Sequence, residues 1–344
     1  MSITCISPSL FFCRLALTLP AILLCSARPS STIAAEVGEQ IQRAGDEVMI
    51  CGQLFHTTAP VVLWTDPGGY DAYRVERRFG DIEKASWEEI SREQPSLDSP
   101  NRYGIRKDQL TAEQLEQVRG GGWTLPMLQD VVDQFVMHYD VCGFSQQCFK
   151  VLHDRRGLSV HFMLDIDGTI YQTLDLKERA WHATVSNSRS IGVEIAGIGA
   201  YPAAKKDVLQ EWYFPADDGG VQLRPPRRLG HLGLRKSPFY GRPDRQEPIV
   251  GIVQGIELTQ YDFTPEQYDS LIKLTATLCR VFPKIKCDYP RDAQGILIPH
   301  KLTDQQWKDF QGVLGHYHVQ LNKTDPGPAF NWQKVIDGAQ QLLQ

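Results

Sequence analysis

Two short apolar runs restrict the fold more than any other feature of this chain. Phe135-Val136-Met137-His138-Tyr139 reads as a buried strand that ends on an imidazole. Ser190-Ile191-Gly192-Val193-Glu194-Ile195-Ala196 alternates strictly. Side chains on a strand point to opposite faces in turn, so Ile191, Val193 and Ile195 share one face and Gly192, Glu194 and Ala196 share the other. A carboxylate therefore projects from a sheet face opposite an apolar one, and the small residues on either side leave room for something to approach it.

The neighbouring sequence supplies more strands and the helices that cover them. Val160 to Ile166 and Thr169 to Thr173 flank Asp167-Gly168, the pattern of a β-hairpin. Pro126 opens a helix ahead of the first strand. Thr264-Pro265-Glu266-Gln267 combines a Thr cap, Pro at the first position and Gln completing a capping box. Tyr268, Leu271, Ile272, Thr275, Cys279 and Phe282 follow at helical spacing, and Pro283 ends the run. A last helix follows Asn331. Strands interleaved with helices specify an α/β domain with a central sheet covered by helices.

Outside this region the sequence is less informative. Leu15 to Cys25 is an apolar run of eleven, preceded by Arg14 and followed by small residues, which is the layout of an export signal over residues 1–35. The run is short for a membrane span and Pro20 interrupts it, so no stable span is expected after cleavage. Export makes disulfides possible. Five of the eight cysteines lie beyond residue 35. Cys142 with Cys148 and Cys279 with Cys287 are candidate local bridges, Cys51 is left over, and free thiols are the alternative reading.

Residues 36–125 form an N-terminal extension of unknown role. It carries a strand signal at Pro60 to Trp64, a polar and irregular stretch from Glu83 to Asn101, and a short helix from Thr111 to Gly120. Residues 126–344 form the main domain, with a long insertion at about 200–262 that reads as a solvated loop. The formal charge of −5 argues against a nucleic-acid partner, because such affinity comes largely from neutralising phosphates.

Three features stand out for chemistry. His138 ends a strand, Glu194 sits on a strand, and the segment from Gly315 to Pro328 gathers His316, His318, Lys323 and Asp325 on a proline-stiffened loop. Two neutral imidazoles and a carboxylate make a three-ligand zinc site with a position left open. Such a metal brings the pKa of water to about 7, and a nearby carboxylate can handle the proton. His138 and His316 are far apart in sequence and no HExxH motif is present, so spacing alone does not assign the site.

The ordered pieces resemble the type-2 N-acetylmuramoyl-L-alanine amidases, zinc enzymes related to phage lysozyme-type amidases and peptidoglycan recognition proteins. The pieces are Phe135 to His138, Ser159 to Gly168, Arg179-Ala180-Trp181-His182-Ala183, Ser190 to Glu194, and Gly315-His316 with Lys323 to Trp332. The resemblance implies a central mixed β-sheet flanked by helices. It further implies zinc on His138, His316 and Asp325, Glu194 as general base and acid, Lys323 against the scissile carbonyl, and Trp181 and His182 as substrate contacts. The spacing of Cys142 and Cys148 resembles a bridge of the recognition-protein branch.

The implied reaction hydrolyses the amide between N-acetylmuramic acid and L-alanine in peptidoglycan or its fragments, in the periplasm or outside the cell. A non-catalytic peptidoglycan-binding module and a zinc hydrolase of another amide are the alternatives. The chain departs from the family where Tyr139 and Asp140 follow the first ligand, and where Val160 replaces a tyrosine. His318 is a rival ligand two residues after His316, and Arg227, Arg228 and Arg235 in the insertion are candidates for binding stem-peptide carboxylates.

Overall fold

The alternating runs become the middle of a sheet. In the computed structural model, which describes residues 1–2, 36–236 and 238–344, six strands form the central sheet among the described residues. They are β1 (Val61–Leu63), β2 (Gln134–Tyr139), β3 (Phe162–Leu164), β4 (Ile170–Gln172), β5 (Ser190–Ile195) and β6 (Gly312–Gly315). Their order is β6-β2-β5-β3-β4-β1. Strands β6, β2, β5 and β3 run parallel, β4 is antiparallel to β3, and β1 pairs in parallel with β4. The sheet is therefore mixed. The export-signal segment lies outside the described residues.

One face is closed by helices α1 (Leu125–Val131), α2 (Pro265–Val281) and α3 (Trp332–Leu343). Phe135, Met137, Ile191, Val193 and Ile195 are buried there in one cluster with Leu128, Leu271, Leu278, Val335 and Ile336. Each fully buried side chain of this size contributes about 1.5–3 kcal/mol. The helix starts follow their caps. Thr124 caps α1 with Pro126 in its first turn, Thr264 and Gln267 form the capping box of α2, and Asn331 caps α3. Gly168, with φ +81°, turns the β3–β4 hairpin, and a Cβ there would lie 2.7 Å from the Glu266 carbonyl at the start of α2.

Register places the chemistry at one end of the sheet. His138 pairs with Glu194, and Gly315 pairs with Met137, so His316 leaves β6 level with His138. Paired residues on adjacent strands point the same way, so His138 and Glu194 share the face away from the three helices.

The extension is part of this architecture. Val61–Leu63 adds the edge strand β1. Arg106 is fully buried, and its guanidinium donates to the carbonyls of Leu176, Asn187, Ser188 and Ser190. Burial pushes its pKa down to about 9, which leaves it charged at neutral pH. The expected irregular stretch from Glu83 to Asn101 instead contains a helix, Trp87–Glu93, because Ser86 accepts a hydrogen bond from the Glu89 N–H and Ile90 is buried. The expected helix after Thr111 forms over Ala112–Arg119.

The insertion is not one open loop. It holds two hairpins, Tyr213–Pro215 with Val221–Leu223 and Ile249–Val253 with Ile256–Gln260. All five described cysteines are free thiols, so neither candidate bridge, Cys142 with Cys148 or Cys279 with Cys287, is formed. No helix among the described residues is long and apolar enough to cross a membrane.

Arg106→Ala would strip a donor from several buried carbonyls at once. It should destabilise the chain by about 3–5 kcal/mol, read as a lower urea midpoint at unchanged m-value.

Candidate metal centre and active site

The centre is assembled from three distant residues. The Nδ1 atoms of His138 and His316 lie 2.9 Å apart, and each lies 2.9 Å from Asp325 Oδ2. All three side chains are buried. His138 comes from the end of β2 and His316 opens the short helix His316–Val319 that follows β6. Asp325 returns on the loop beyond that helix, where its carbonyl accepts the Tyr317 N–H.

The insertion braces this loop. The Gln254 side-chain amide donates to the carbonyls of Tyr317, Gln320 and Lys323. Gln260 donates to the Pro326 carbonyl and accepts the Ala329 N–H. Tyr139 and Thr324 join their hydroxyls at 2.6 Å, and Asp140 Oδ1 accepts from the N–H groups of Cys142, Gly143 and Gly197. The two departures after the first ligand thus tie β2 to its surroundings.

Protonation follows from the outer partners. His316 Nε2 lies 2.5 Å from Gln320 Oε1, an acceptor, so Nε2 carries a proton and Nδ1 faces His138 and Asp325. Burial, reinforced by His316, pushes the His138 pKa down to about 4, so this imidazole is neutral at pH 7. Burial works to raise the Asp325 pKa, yet the imidazoles beside it, His316 foremost, hold it below the carboxylate range. A carboxylate oxygen 2.9 Å from two imidazole nitrogens is held there by a shared proton or by a cation. All three donor atoms lie within 4.8 Å of one another, and two imidazoles with one carboxylate are a donor set that fits a divalent metal.

His318 does not join them. Its Nδ1 accepts the Gly315 N–H at 2.8 Å and its Nε2 donates to the Ile298 carbonyl at 2.7 Å, so both nitrogens are used in the core.

Glu194 and Lys323 line the same cleft as the three donors, a space of about 280 Å³ with Trp181 in its wall. Burial raises the Glu194 pKa well above the usual carboxylate range, the charges of Asp325 and Asp140 add to this, and Lys323 opposes it. Glu194 Oε2 is buried without a hydrogen-bond partner. A carboxyl group of this kind, beside a cation site and open to a cleft, is equipped to take up and release a proton.

The remaining expectations divide. Trp181 is half-buried at the cleft. His182 also borders it, but both of its ring nitrogens are engaged, with His138 at 3.0 Å and Ser190 at 3.3 Å. Val160 is buried, so no hydroxyl stands at that position. Arg228 pairs with Glu211, and Arg235 donates to the Pro67 carbonyl; neither lines the cleft. Gln254, Gln260 and Gln320 went unrecognised in the sequence. Only Gln320 carried a readable signal, its spacing of four from His316 on one helix face.

Fold and site together define an α/β protein with a His-His-Asp cluster able to hold a metal ion at the ends of parallel strands and a half-buried carboxyl group beside it. The chain belongs to the N-acetylmuramoyl-L-alanine amidase family, whose sequence profile matches residues 128–328, more than half of its length. It is 29% identical over 121 residues to the 1,6-anhydro-N-acetylmuramyl-L-alanine amidase AmpD of Enterobacter cloacae. That match covers 34% of this chain and 50% of the relative, so the chain spans about half the length of the curated protein it matches. Among solved structures, it is similar to a selenomethionyl AmpD derivative, with 16% identity and a TM-score of 0.31 over 70% of this chain and 92% of that one. It is also similar to AmiD of E. coli, solved with anhydro-N-acetylmuramic acid-L-Ala-D-gamma-Glu-L-Lys, with 16% identity and a TM-score of 0.34 over 60% of this chain and 57% of that one.

Asp325→Ala should bind divalent metal far more weakly than the parent chain, measured by elemental analysis after dialysis. Full occupancy in the variant would assign the third ligand elsewhere.

Proposed function

We propose that this chain is an exported zinc amidase. It hydrolyses the amide between the lactyl group of N-acetylmuramic acid and the L-alanine that opens the stem peptide, in peptidoglycan or in fragments of it. The observation that carries this reading is the convergence of His138, His316 and Asp325 beside Glu194 and Lys323, inside the segment that matches the amidase family. Support for export is the N-terminal apolar run with its basic flank and small-residue ending.

His138, His316 and Asp325 would hold zinc. Bound there, zinc supplies a Lewis acid that brings the pKa of water to about 7. Glu194 accepts the proton of the attacking water and delivers it to the leaving amine nitrogen of L-alanine. The Lys323 ammonium faces the charge that develops on the scissile carbonyl oxygen. Trp181 offers a flat apolar surface at the cleft wall to the substrate. A module that only binds peptidoglycan needs neither the proton carrier nor the ammonium group, and this chain has both in the cleft.

Glu194→Ala should retain zinc and lose about 10²–10⁴ in turnover on peptidoglycan. Mass spectrometry of digested sacculi should show free stem peptides beginning with L-alanine. Metal-loaded chain that binds sacculi without releasing such peptides would instead establish the binding module, and release of other fragments would establish hydrolysis of another amide.

A further inference from the structure

His182 stands out because it borders the cleft yet has no free ring nitrogen. Its Nδ1 lies 3.0 Å from His138 Nε2, and its Nε2 lies 3.3 Å from Ser190 Oγ. The ring is fixed on other sides as well. Asn187 Oδ1 accepts the backbone N–H groups of His182 and Ala183, at 3.1 and 2.6 Å. Gly192, on the strand that carries Glu194, leaves space for the imidazole: a Cβ there would sit 2.4 Å from His182 Nδ1. The strand thus has a gap of the ring's size at the place where the ring meets His138.

The direction of the hydrogen bonds follows from the metal end. A histidine that offers Nδ1 to a cation must be bare at Nδ1 and protonated at Nε2. His138 Nε2 then donates to His182 Nδ1. A neutral His182 with Nδ1 accepting carries its own proton on Nε2, which donates to Ser190 Oγ. Gln320 Oε1 does the same for the second imidazole, accepting from His316 Nε2 at 2.5 Å. Each ligand histidine therefore has an acceptor on its far side.

We propose that His182 is a positioning residue of the metal centre, which accepts the Nε2 proton of His138 and so holds its Nδ1 toward His316 and Asp325. This replaces the expectation that His182 contacts substrate, and it leaves Trp181 as the member of the pair that faces the cleft. The inference rests on the reading of His138, His316 and Asp325 as metal ligands.

Zinc affinity of the full chain, measured by competition with a chromogenic chelator, tests it without reference to turnover. His182→Leu removes both nitrogens and should weaken zinc binding about 10–100-fold, the usual effect of losing an outer partner of a ligand. His182→Asn places an amide oxygen where Nδ1 stood and should recover most of that loss. The visible spectrum of the cobalt-loaded chain should shift in the Leu variant and return toward the parent in the Asn variant.

Parent-like zinc affinity in His182→Leu overturns the proposal, and a rise in KM alone would restore the substrate-contact reading. Equal loss in the Leu and Asn variants also overturns it, because the ring would then matter only for its bulk. If His182→Leu does not fold, Ser190→Ala carries the test, since it deletes one oxygen beneath the ring. It should weaken zinc binding several-fold, and unchanged affinity would overturn the relay. Asp325→Ala separates the two levels. Zinc affinity equal to the parent in that variant rejects the metal centre itself, whereas loss there with none in the His182 variants rejects only the role of His182.

Discussion

Three electron-pair donors held together in a buried space are the constraint on which the rest of this structure depends. His138 Nδ1, His316 Nδ1 and Asp325 Oδ2 lie 2.9 Å from one another pairwise. Bringing such groups out of water is unfavourable unless a cation or protons repay the lost hydration. The chain spends rigid structure on the task. Parallel pairing of β2 with β6 brings two strand ends to one level, which is where α/β sheets gather their sites. The third donor lies on a loop, and a loop needs braces to return a carboxylate to the same point.

The same cluster sets the properties of its neighbours. Glu194 is half-buried and loses hydration in the cleft wall, so its charged form is disfavoured from the outset, and the negative charge of Asp325 adds to that. A divalent cation at the cluster would reverse the local field and favour the carboxylate. The proton affinity of Glu194 therefore answers to the charge of the cluster that shares its cleft. Lys323 lies two residues before Asp325, and whatever positions the ligand also positions the ammonium group.

What the sequence showed and what it hid divide along the range of the interactions. Alternation in β5 and the capping boxes of α2 and of the helix Ala112–Arg119 are local patterns, and each appears where the residues place it. The helix Trp87–Glu93 was hidden although its cap is local, because Ser86 and Glu89 lie among other polar residues that blur the signal. Arg106 looked like any surface arginine. Its carbonyl partners lie 70 to 84 residues away, and no local pattern announces a buried guanidinium bonded to them. Spacing alone did not separate His316 from His318; the family resemblance favoured His316, and the folded chain gives both nitrogens of His318 partners in the core. Trp181 and His182 are neighbours in sequence and both border the cleft, yet only His182 leans on the sheet where Gly192 has no side chain.

The insertion shows how a segment without chemistry of its own becomes part of a site. Ile249–Val253 and Ile256–Gln260 are joined by the two-residue turn Gln254-Gly255, and both turn residues have positive φ, +55° and +74°. That geometry suits the twist of a hairpin and costs a glutamine backbone about 1–3 kcal/mol. The amide at the tip offsets this by donating to the carbonyls of Tyr317, Gln320 and Lys323 and accepting the Lys301 N–H. Glycine would relieve the backbone and lose these bonds. The loop between His316 and Asp325 is therefore held by a residue about seventy positions earlier in the chain, and the hairpin that carries this residue braces the candidate metal centre rather than standing as a free appendage.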